Sequence, residues 1–244
     1  MVIPIYDDTP MRFMRRPWVN WALIFVNVAV FIVVQSEIFG DPLTIMRGFA
    51  VIPRVLFGEA VLAKWIVGPP APLTLVTSLF FHSGFLHILG NMLFLYVFGD
   101  NVEDAMGSLH YLLFYLSCGV ASGVVFAYAS PHMISPLVGA SGAISGVCAA
   151  FLLLHPHSTI FGLVLGVFPI RAQAWMFVGT WIVLQFIAAL AGEHGHVAWF
   201  AHVGGILAGL ALTPLFKRRR VRLFDAPPHK PSRRQPPEDP PQQS

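Results

Sequence analysis

One serine stands out because it lies where a hydroxyl group gains little by itself. Ser141 is flanked by small residues, and it opens a run of Val, Ala, Phe and Leu that continues to about residue 154. A polar group in apolar surroundings needs a hydrogen-bond partner. Beside a general base this serine would be a nucleophile, whereas alone it would more often be a packing residue between membrane helices.

Three further polar side chains occur in other apolar stretches and are candidate partners. His87 and Asn91 are four residues apart and therefore project from one face of a helix, and His202 lies in the last apolar stretch. We expect all of them at the same depth as Ser141, whereas chance placement would scatter them over both leaflets. A serine with a histidine is the minimum for a nucleophile with a general base.

Glycines predict close packing around the serine and the histidine. Gly139 precedes the serine, Gly142 and Gly146 form a Gly-x-x-x-Gly step after it, and Gly205 and Gly209 follow the histidine. Helices that lack side chains at their contact can approach closely, so the serine and the histidine come within hydrogen-bond reach. The free N–H groups and positive dipole end of the serine's helix would then face a reacting carbonyl.

The composition indicates a membrane protein. Of the 244 residues, 56% are hydrophobic and only 11% are charged, whereas about a quarter of the residues of a soluble domain are charged. The net charge of +3 does not indicate a nucleic-acid partner, because the Arg and Lys residues lie beside apolar segments and in the tail. We interpret Cys118 and Cys148 as packing residues, since both fall within predicted spans.

The apolar segments predict an all-α polytopic membrane protein, a bundle of six transmembrane helices. The predicted spans are approximately 18–36, 80–98, 109–129, 139–155, 172–191 and 197–216. The fourth is short for a crossing, which takes about 20 residues, so we expect it to be recessed at the floor of a polar cavity.

The connections are assigned from the same pattern. The predicted parts of the chain are a short cytoplasmic N-terminus (1–17), a membrane domain (18–216) and a basic, Pro-rich disordered cytoplasmic tail (217–244). Within the membrane domain we predict a connection of mixed character (37–72), a short acidic turn (99–104) and a loop lying against the membrane (158–170).

Arginines set the predicted orientation. Arg12, Arg15 and Arg16 precede the first span, and a basic run at 217–222 follows the sixth. Positive charges flank membrane helices on the cytoplasmic side, so both termini are predicted to be cytoplasmic. Ser141 would then lie toward the outer side. We predict the plasma membrane of a bacterium as the location.

Three motifs together resemble a known family. These are Gly-Ala-Ser-Gly (139–142), His-Ile-Leu-Gly-Asn (87–91) and Ala-His-Val-Gly-Gly (201–205), the last of which is followed by Gly209. In these three signature segments the chain resembles the rhomboid intramembrane serine proteases. The resemblance covers about residues 18–216. Members of that family often carry an aromatic residue four positions after the serine to stack on the histidine, whereas Ser145 occupies that position here.

The resemblance implies a serine endopeptidase with a Ser–His dyad. Ser141 would attack the scissile carbonyl, and His202 would take its proton and pass it to the leaving amine. The Ser141 N–H and the side chains of His87 and Asn91 would hold the oxyanion. The substrates would be transmembrane segments in the bilayer, with small residues at the cut site and a helix-weakening stretch nearby. No cofactor, metal or nucleic acid is implied.

Other polar residues have simpler predicted roles. We expect a structural role for His82 and a packing role for Ser145. His194 and His196 are predicted to be solvated loop residues, with a weak metal site as the alternative, and His155 and His157 are predicted to lie on the cytoplasmic side. Asp100, Glu103 and Asp104 are predicted to form a solvated, turn-capping cluster.

Two other functions stay open at this point. A small transporter or metal-handling protein could use His87, His202 and Asn91, but the spans contain almost no carboxylates. A catalytically inactive rhomboid-like binder of transmembrane clients predicts loss of the serine or the histidine, and both are present.

Overall fold

The computed structural model describes residues 2–164, 166–191 and 198–225. His194 and His196, and residues 226–244 of the predicted disordered tail (217–244), lie outside the described residues.

The described residues form a helical bundle with one small sheet. Its elements are β1 (Val2–Asp7), α1 (Trp18–Gln35), α2 (Pro42–Phe49), α3 (Pro53–Leu56), α4 (Thr74–Thr77), α5 (Phe85–Met106), α6 (Ser108–Ala129), α7 (Ser141–Leu154), β2 (Thr159–Val164), β3 (Phe168–Gln173), α8 (Ala174–Ala191) and α9 (Trp199–Phe216).

The helices confirm the predicted multi-pass membrane fold. Among the described residues, α1, α5, α6, α8 and α9 are long and apolar enough to cross a bilayer. The remaining predicted span, the fourth, is α7, which has only 14 residues. At 1.5 Å per residue it is about 21 Å long, which is less than the ~30 Å of a hydrocarbon core.

The short helix α7 lies at the centre of the bundle. Every side chain from Gly142 to Phe151 is buried, and α7 contacts α5, α6, α8 and α9. A helix that is apolar on all sides lies either in lipid or inside a protein core, and the contacts of α7 place it in the core of the bundle. The residue at its start is therefore held in place from several directions.

Glycines on α9 bring this helix against the backbone of α7. A Cβ atom on Gly205 would overlap the carbonyl of Gly142, and one on Gly209 would overlap the carbonyl of Gly146. Both contacts advance by four residues in the same direction, so α7 and α9 run parallel. The first turns of the two helices therefore lie at the same end of the bundle.

The glycines of α7 face α6, whereas the sequence predicted that they face the helix of His202, α9. A Cβ on Gly142 would overlap the Ser122 hydroxyl, and one on Gly146 would lie 2.5 Å from the Cys118 sulfur. These glycines therefore also admit α6, so α7 is packed closely on two sides. Cys118 and Cys148 are both free and buried.

The prediction of a loop at residues 158–170 is wrong, because strands β2 and β3 occupy this segment. Both neighbours of β2 pair with it antiparallel, in the order β1-β2-β3. Val2 is opposite Val164, and Asp7 is opposite Ile160. The segment is too short to cross the membrane, and its backbone N–H and C=O groups are paired within the sheet instead.

The predicted acidic turn is also wrong, because α5 continues through it to Met106. Glu103 is fully buried and accepts hydrogen bonds from the N–H groups of Val19 (3.2 Å) and Asn20 (2.8 Å) and from the Ser108 hydroxyl (2.6 Å). It therefore satisfies the free N–H groups in the first turn of α1. The capping role was predicted, whereas the solvated position was not found.

Asp104 ties the N-terminal segment to the same end of α5. Its carboxylate accepts hydrogen bonds from the backbone N–H groups of Arg12 (2.7 Å), Phe13 (2.8 Å) and Met14 (2.6 Å). The chain after α9 returns to this end as well, since the Arg218 N–H donates to the Ala105 carbonyl at 2.9 Å. This end of the bundle, which we call the anchoring end, is opposite Ser141.

Candidate active site

The backbone before α7 places Ser141 at the first residue of that helix. Gly139 has φ +123°, a conformation that side chains disfavour and glycine adopts readily. Its N–H donates to the carbonyl of Ser78 at 2.9 Å. A Cβ atom here would lie 2.7 Å from Nε2 of His87, so a larger residue would displace that ring.

Ser141 and His202 are in hydrogen-bond contact. The Ser141 Oγ lies 2.9 Å from Nε2 of His202, across the packing of α7 on α9. Both side chains are partly buried, so the pair is packed yet not sealed from the surface. A serine hydroxyl donating to an imidazole nitrogen can lose its proton to that nitrogen when it attacks an electrophile.

The other nitrogen of His202 has a partner on α8 that the sequence analysis missed. Nδ1 lies 2.7 Å from Oε1 of Gln185, and only 5% of Gln185 is exposed. The signal for it was available, because an amide within an apolar span needs a hydrogen-bond partner. No spacing rule, however, connects it to a histidine on another helix.

Aromatic rings enclose the His202 side chain. The ring centroid of Trp181 lies 6.4 Å away, and that of Trp199 lies 6.0 Å away in a perpendicular arrangement. The family position for such a ring is Ser145, whose hydroxyl instead donates to the Ser141 carbonyl at 2.7 Å. The aromatic contact with the histidine is therefore supplied from α8 and α9.

His87 and Asn91 lie in the first two turns of α5, and the His87 ring reaches the loop that precedes Ser141. Nδ1 of His87 is 3.1 Å from the Ser83 hydroxyl, and its Nε2 side faces Gly139. The Asn91 amide donates one hydrogen bond to the His87 carbonyl at 2.8 Å. An amide nitrogen carries two N–H groups, so the Asn91 amide can donate a second hydrogen bond.

His82 supports the loop before the serine. It is 2% exposed, and its Nε2 accepts from the Ala140 N–H at 3.4 Å. Its ring meets that of His87 edge-on with the centroids 5.1 Å apart. This contact agrees with the structural role expected from the sequence.

The start of α7 adds backbone donors to this group. The Ile144 N–H makes the first helical bond, to the Ala140 carbonyl at 2.9 Å. The N–H groups of residues 141–143 precede it and have no intrahelical acceptor. With the helix dipole they form a partly positive surface beside the Ser141 hydroxyl, which suits an oxyanion.

Comparison with known proteins places this arrangement in a family. The model of the Rhomboid domain matches residues 70–219, which include Ser141, His202, His87 and Asn91. The chain belongs to the rhomboid family.

Its relatives include proteins of fungi and of a bacterium. The mitochondrial Rhomboid protein 1 of Saccharomyces cerevisiae is 32% identical over 164 residues, which are 63% of this chain and 46% of that protein. The Putative rhomboid protease YdcA of Bacillus subtilis is 26% identical over 151 residues, 62% of this chain and 70% of that protein. The Rhomboid-type serine protease 2 of Emericella nidulans is 30% identical over 168 residues, 65% of this chain and 31% of that protein.

The matches support a rhomboid-type membrane protein, and some of the relatives are named as proteases. The aligned part spans about half the length of the first curated relatives.

Proposed function

We propose that this protein is an intramembrane serine endopeptidase that cleaves transmembrane segments of other membrane proteins through Ser141 and His202. The observation that carries the proposal is the 2.9 Å contact between the Ser141 hydroxyl and Nε2 of His202. It lies at the start of a helix too short to cross the bilayer, inside a bundle of spanning helices.

In the proposed reaction the Ser141 Oγ attacks the scissile carbonyl carbon while its proton moves to Nε2 of His202. The carbonyl oxygen becomes an oxyanion, and the tetrahedral intermediate collapses as the C–N bond breaks. The imidazolium gives its proton to the leaving amine. Water, deprotonated by the same nitrogen, then hydrolyses the acyl-enzyme and regenerates the serine.

The oxyanion would be held by the Ser141 N–H and by the His87 and Asn91 side chains. The Ser141 N–H lies in the free first turn of α7. His87, on α5, faces Gly139, and Asn91 follows it one turn later on the same helix. Donors already in place when charge develops need no reorganisation during the reaction.

The substrates would be transmembrane segments that unwind easily. A helical segment hides its carbonyls in backbone hydrogen bonds, so a strained or weakened stretch must reach the serine in extended form. Small residues at the cut site would pass the packed rings near His202.

The orientation follows from the arginines. The anchoring end carries Arg12 together with Arg218, so it is proposed to face the cytoplasm and Ser141 the outer side. The bacterial plasma membrane stays a prediction, since relatives are named from bacteria, mitochondria and chloroplasts alike.

A fluorophosphonate probe tests the nucleophile. The detergent-purified full chain and a Ser141→Ala variant would be incubated with the probe and, separately, with a generic transmembrane substrate. Labelling and cleavage by the parent, both lost in Ser141→Ala, are expected. Ser36→Ala, which removes an exposed hydroxyl that bonds only the Val33 carbonyl, is the matched control and should behave as the parent.

Cleavage that survives in Ser141→Ala would overturn the mechanism. A folded parent that neither labels nor cleaves would favour the inactive rhomboid-like binder of transmembrane clients.

A further inference from the structure

Helix α8 carries one amide side chain, Gln185, in an otherwise apolar neighbourhood. It is 5% exposed, whereas the preceding residue, Leu184, is 55% exposed. A polar group kept inside a membrane bundle without a partner is costly, so its position requires a specific hydrogen bond. The partner is Nδ1 of His202, 2.7 Å from Oε1.

Both nitrogens of the His202 ring are thereby occupied. Nε2 faces the Ser141 hydroxyl at 2.9 Å, and Nδ1 faces the amide oxygen of Gln185. An amide oxygen only accepts hydrogen bonds, so Nδ1 must carry the proton in neutral imidazole. Nε2 is then left with the lone pair that a general base needs. The reverse tautomer would present an N–H to the serine and could not take its proton.

We propose that Gln185 is a positioning residue for His202, a neutral third member of a Ser–His–Gln relay. This inference rests on the proposed function. When Ser141 attacks, its proton moves to Nε2, and the Nδ1–H continues to donate to the amide oxygen of Gln185. The Nε2 proton then passes to the leaving amine. No proton or charge is transferred to Gln185, which fixes the tautomer and the angle of the ring.

The same face of α8 restrains the ring a second time. Trp181 precedes Gln185 by four residues, so the two side chains are neighbours on the helix. Its ring lies 6.4 Å from that of His202. Ser145 supplies no aromatic contact from α7, so α8 holds the histidine by one hydrogen bond and one ring.

An amide suits this depth better than a carboxylate. An ionised carboxylate inside the bundle would need its own compensating charge or several donors. Among the described residues, the hydrogen-bond partners of the His202 ring are Ser141 and Gln185 and its aromatic neighbours are two tryptophans, all of them uncharged. The amide oxygen orients the ring without that cost.

Three variants of the full chain in detergent micelles test the relay. Gln185→Met keeps the length of the side chain and removes the acceptor. Gln185→Glu keeps an acceptor oxygen at the same distance. Leu184→Met, on the exposed side of the same helix, is the matched control. We expect Gln185→Met to label with the fluorophosphonate, and to turn over substrate, about 10²-fold more slowly, with KM little changed.

We expect Gln185→Glu to recover most of the parental rate and Leu184→Met to react at the parental rate. A merely structural glutamine would lower the amount of folded protein without changing kcat of the folded fraction. Parental kcat in Gln185→Met would therefore overturn the proposal. If Gln185→Met does not fold, Gln185→Asn replaces it, since an amide one methylene shorter cannot reach Nδ1; parental labelling by Gln185→Asn would be equally decisive against the relay.

A spectroscopic measurement separates this inference from the proposed function. With ¹⁵N-labelled histidine, the His202 ring of the parent should give the signals of the Nδ1–H tautomer, and Gln185→Met should give a mixture. This result supports positioning even if the parent proves catalytically inactive. An unchanged tautomer in Gln185→Met contradicts it even if Ser141 is shown to be the nucleophile.

Discussion

The two ends of the bundle use buried polar groups in opposite ways. At the anchoring end, the Glu103 carboxylate accepts three hydrogen bonds, and Asp104 accepts three backbone N–H groups. At the other end, the Ser141 hydroxyl has one partner, His202, and both are only partly buried.

The contrast between the two ends shows how polar groups that stabilise the fold differ from polar groups that could act on a substrate. Hydrogen bonds to both oxygens of a carboxylate offset its desolvation cost, and burial keeps Glu103 and Asp104 away from a substrate. In the proposed mechanism Ser141, His87 and Asn91 keep hydrogen-bonding capacity for the substrate. Substitutions at the site should therefore reduce activity, whereas those at the anchoring end should reduce stability.

The largest expected effect is at His202. His202→Asn should lower substrate cleavage by more than ~10³-fold, because His202 is the group that the described residues place against the Ser141 hydroxyl to take its proton. The thermal unfolding midpoint should change little. Cleavage assays and tryptophan fluorescence on the same preparation measure both. A His202→Asn variant that unfolds far below the parent would show that the site also holds the bundle together.

Removing one proposed oxyanion donor is the next largest effect. His87→Ala should reduce kcat by about 10²-fold, the usual loss for a single such donor. The comparison variant is His157→Ala, near the other end of α7. Unchanged kcat in His87→Ala would remove His87 from the oxyanion site and leave the Ser141 N–H and Asn91.

At the anchoring end, Glu103→Gln should lower stability rather than rate. An amide nitrogen would replace one oxygen that now accepts a hydrogen bond in the buried cluster, so we expect a loss of about 2–4 kcal/mol. Chemical unfolding in mixed micelles would measure it. Activity per folded molecule of Glu103→Gln should equal that of the parent. A loss of kcat without a loss of stability would contradict the assignment of a purely structural role to the anchoring end.

The smallest effect is a pH dependence of stability at His155. Burial, and after it the charge of Arg12, lower the pKa of His155 to about 4. The unfolded chain binds a proton near pH 6.5 and the folded chain does not, so stability falls as the pH falls from about 6.5 toward 4.

His155→Gln removes this term. Between pH 7 and pH 5 its unfolding midpoint should fall by roughly 5 °C less than that of the parent. Parallel midpoints for the two proteins would show that His155 is not buried as a neutral ring.

Hydropathy predicted the helices well because each span is a local property of the chain. The first span was predicted at 18–36, and α1 is Trp18–Gln35. The second was shifted, since α5 begins at Phe85 and continues to Met106. Its acidic end looked like a turn because the backbone N–H groups that bind Glu103 and Asp104 come from residues 12–20, far away along the chain.

The site was predictable where residues recur as a motif and not where a single residue acts. Ser141 and His202 stand in recognisable segments. Gln185 is a lone amide, and the sequence carries no indication that α8 turns it toward the ring. The sheet was missed for a related reason, since the pattern of Thr159–Gln173 does not reveal that the N-terminal segment supplies its third strand.

That third strand has a consequence for biosynthesis. Strand β1 leaves the ribosome roughly 160 residues before its partner β2, which at 5–20 residues per second is an interval of about 10–30 s. During this time α1, α5, α6 and α7 are made, while β1 waits with its hydrogen-bonding groups in water. The sheet can therefore form only after the helices between β1 and β2 have been synthesised, which makes its formation a late step of assembly.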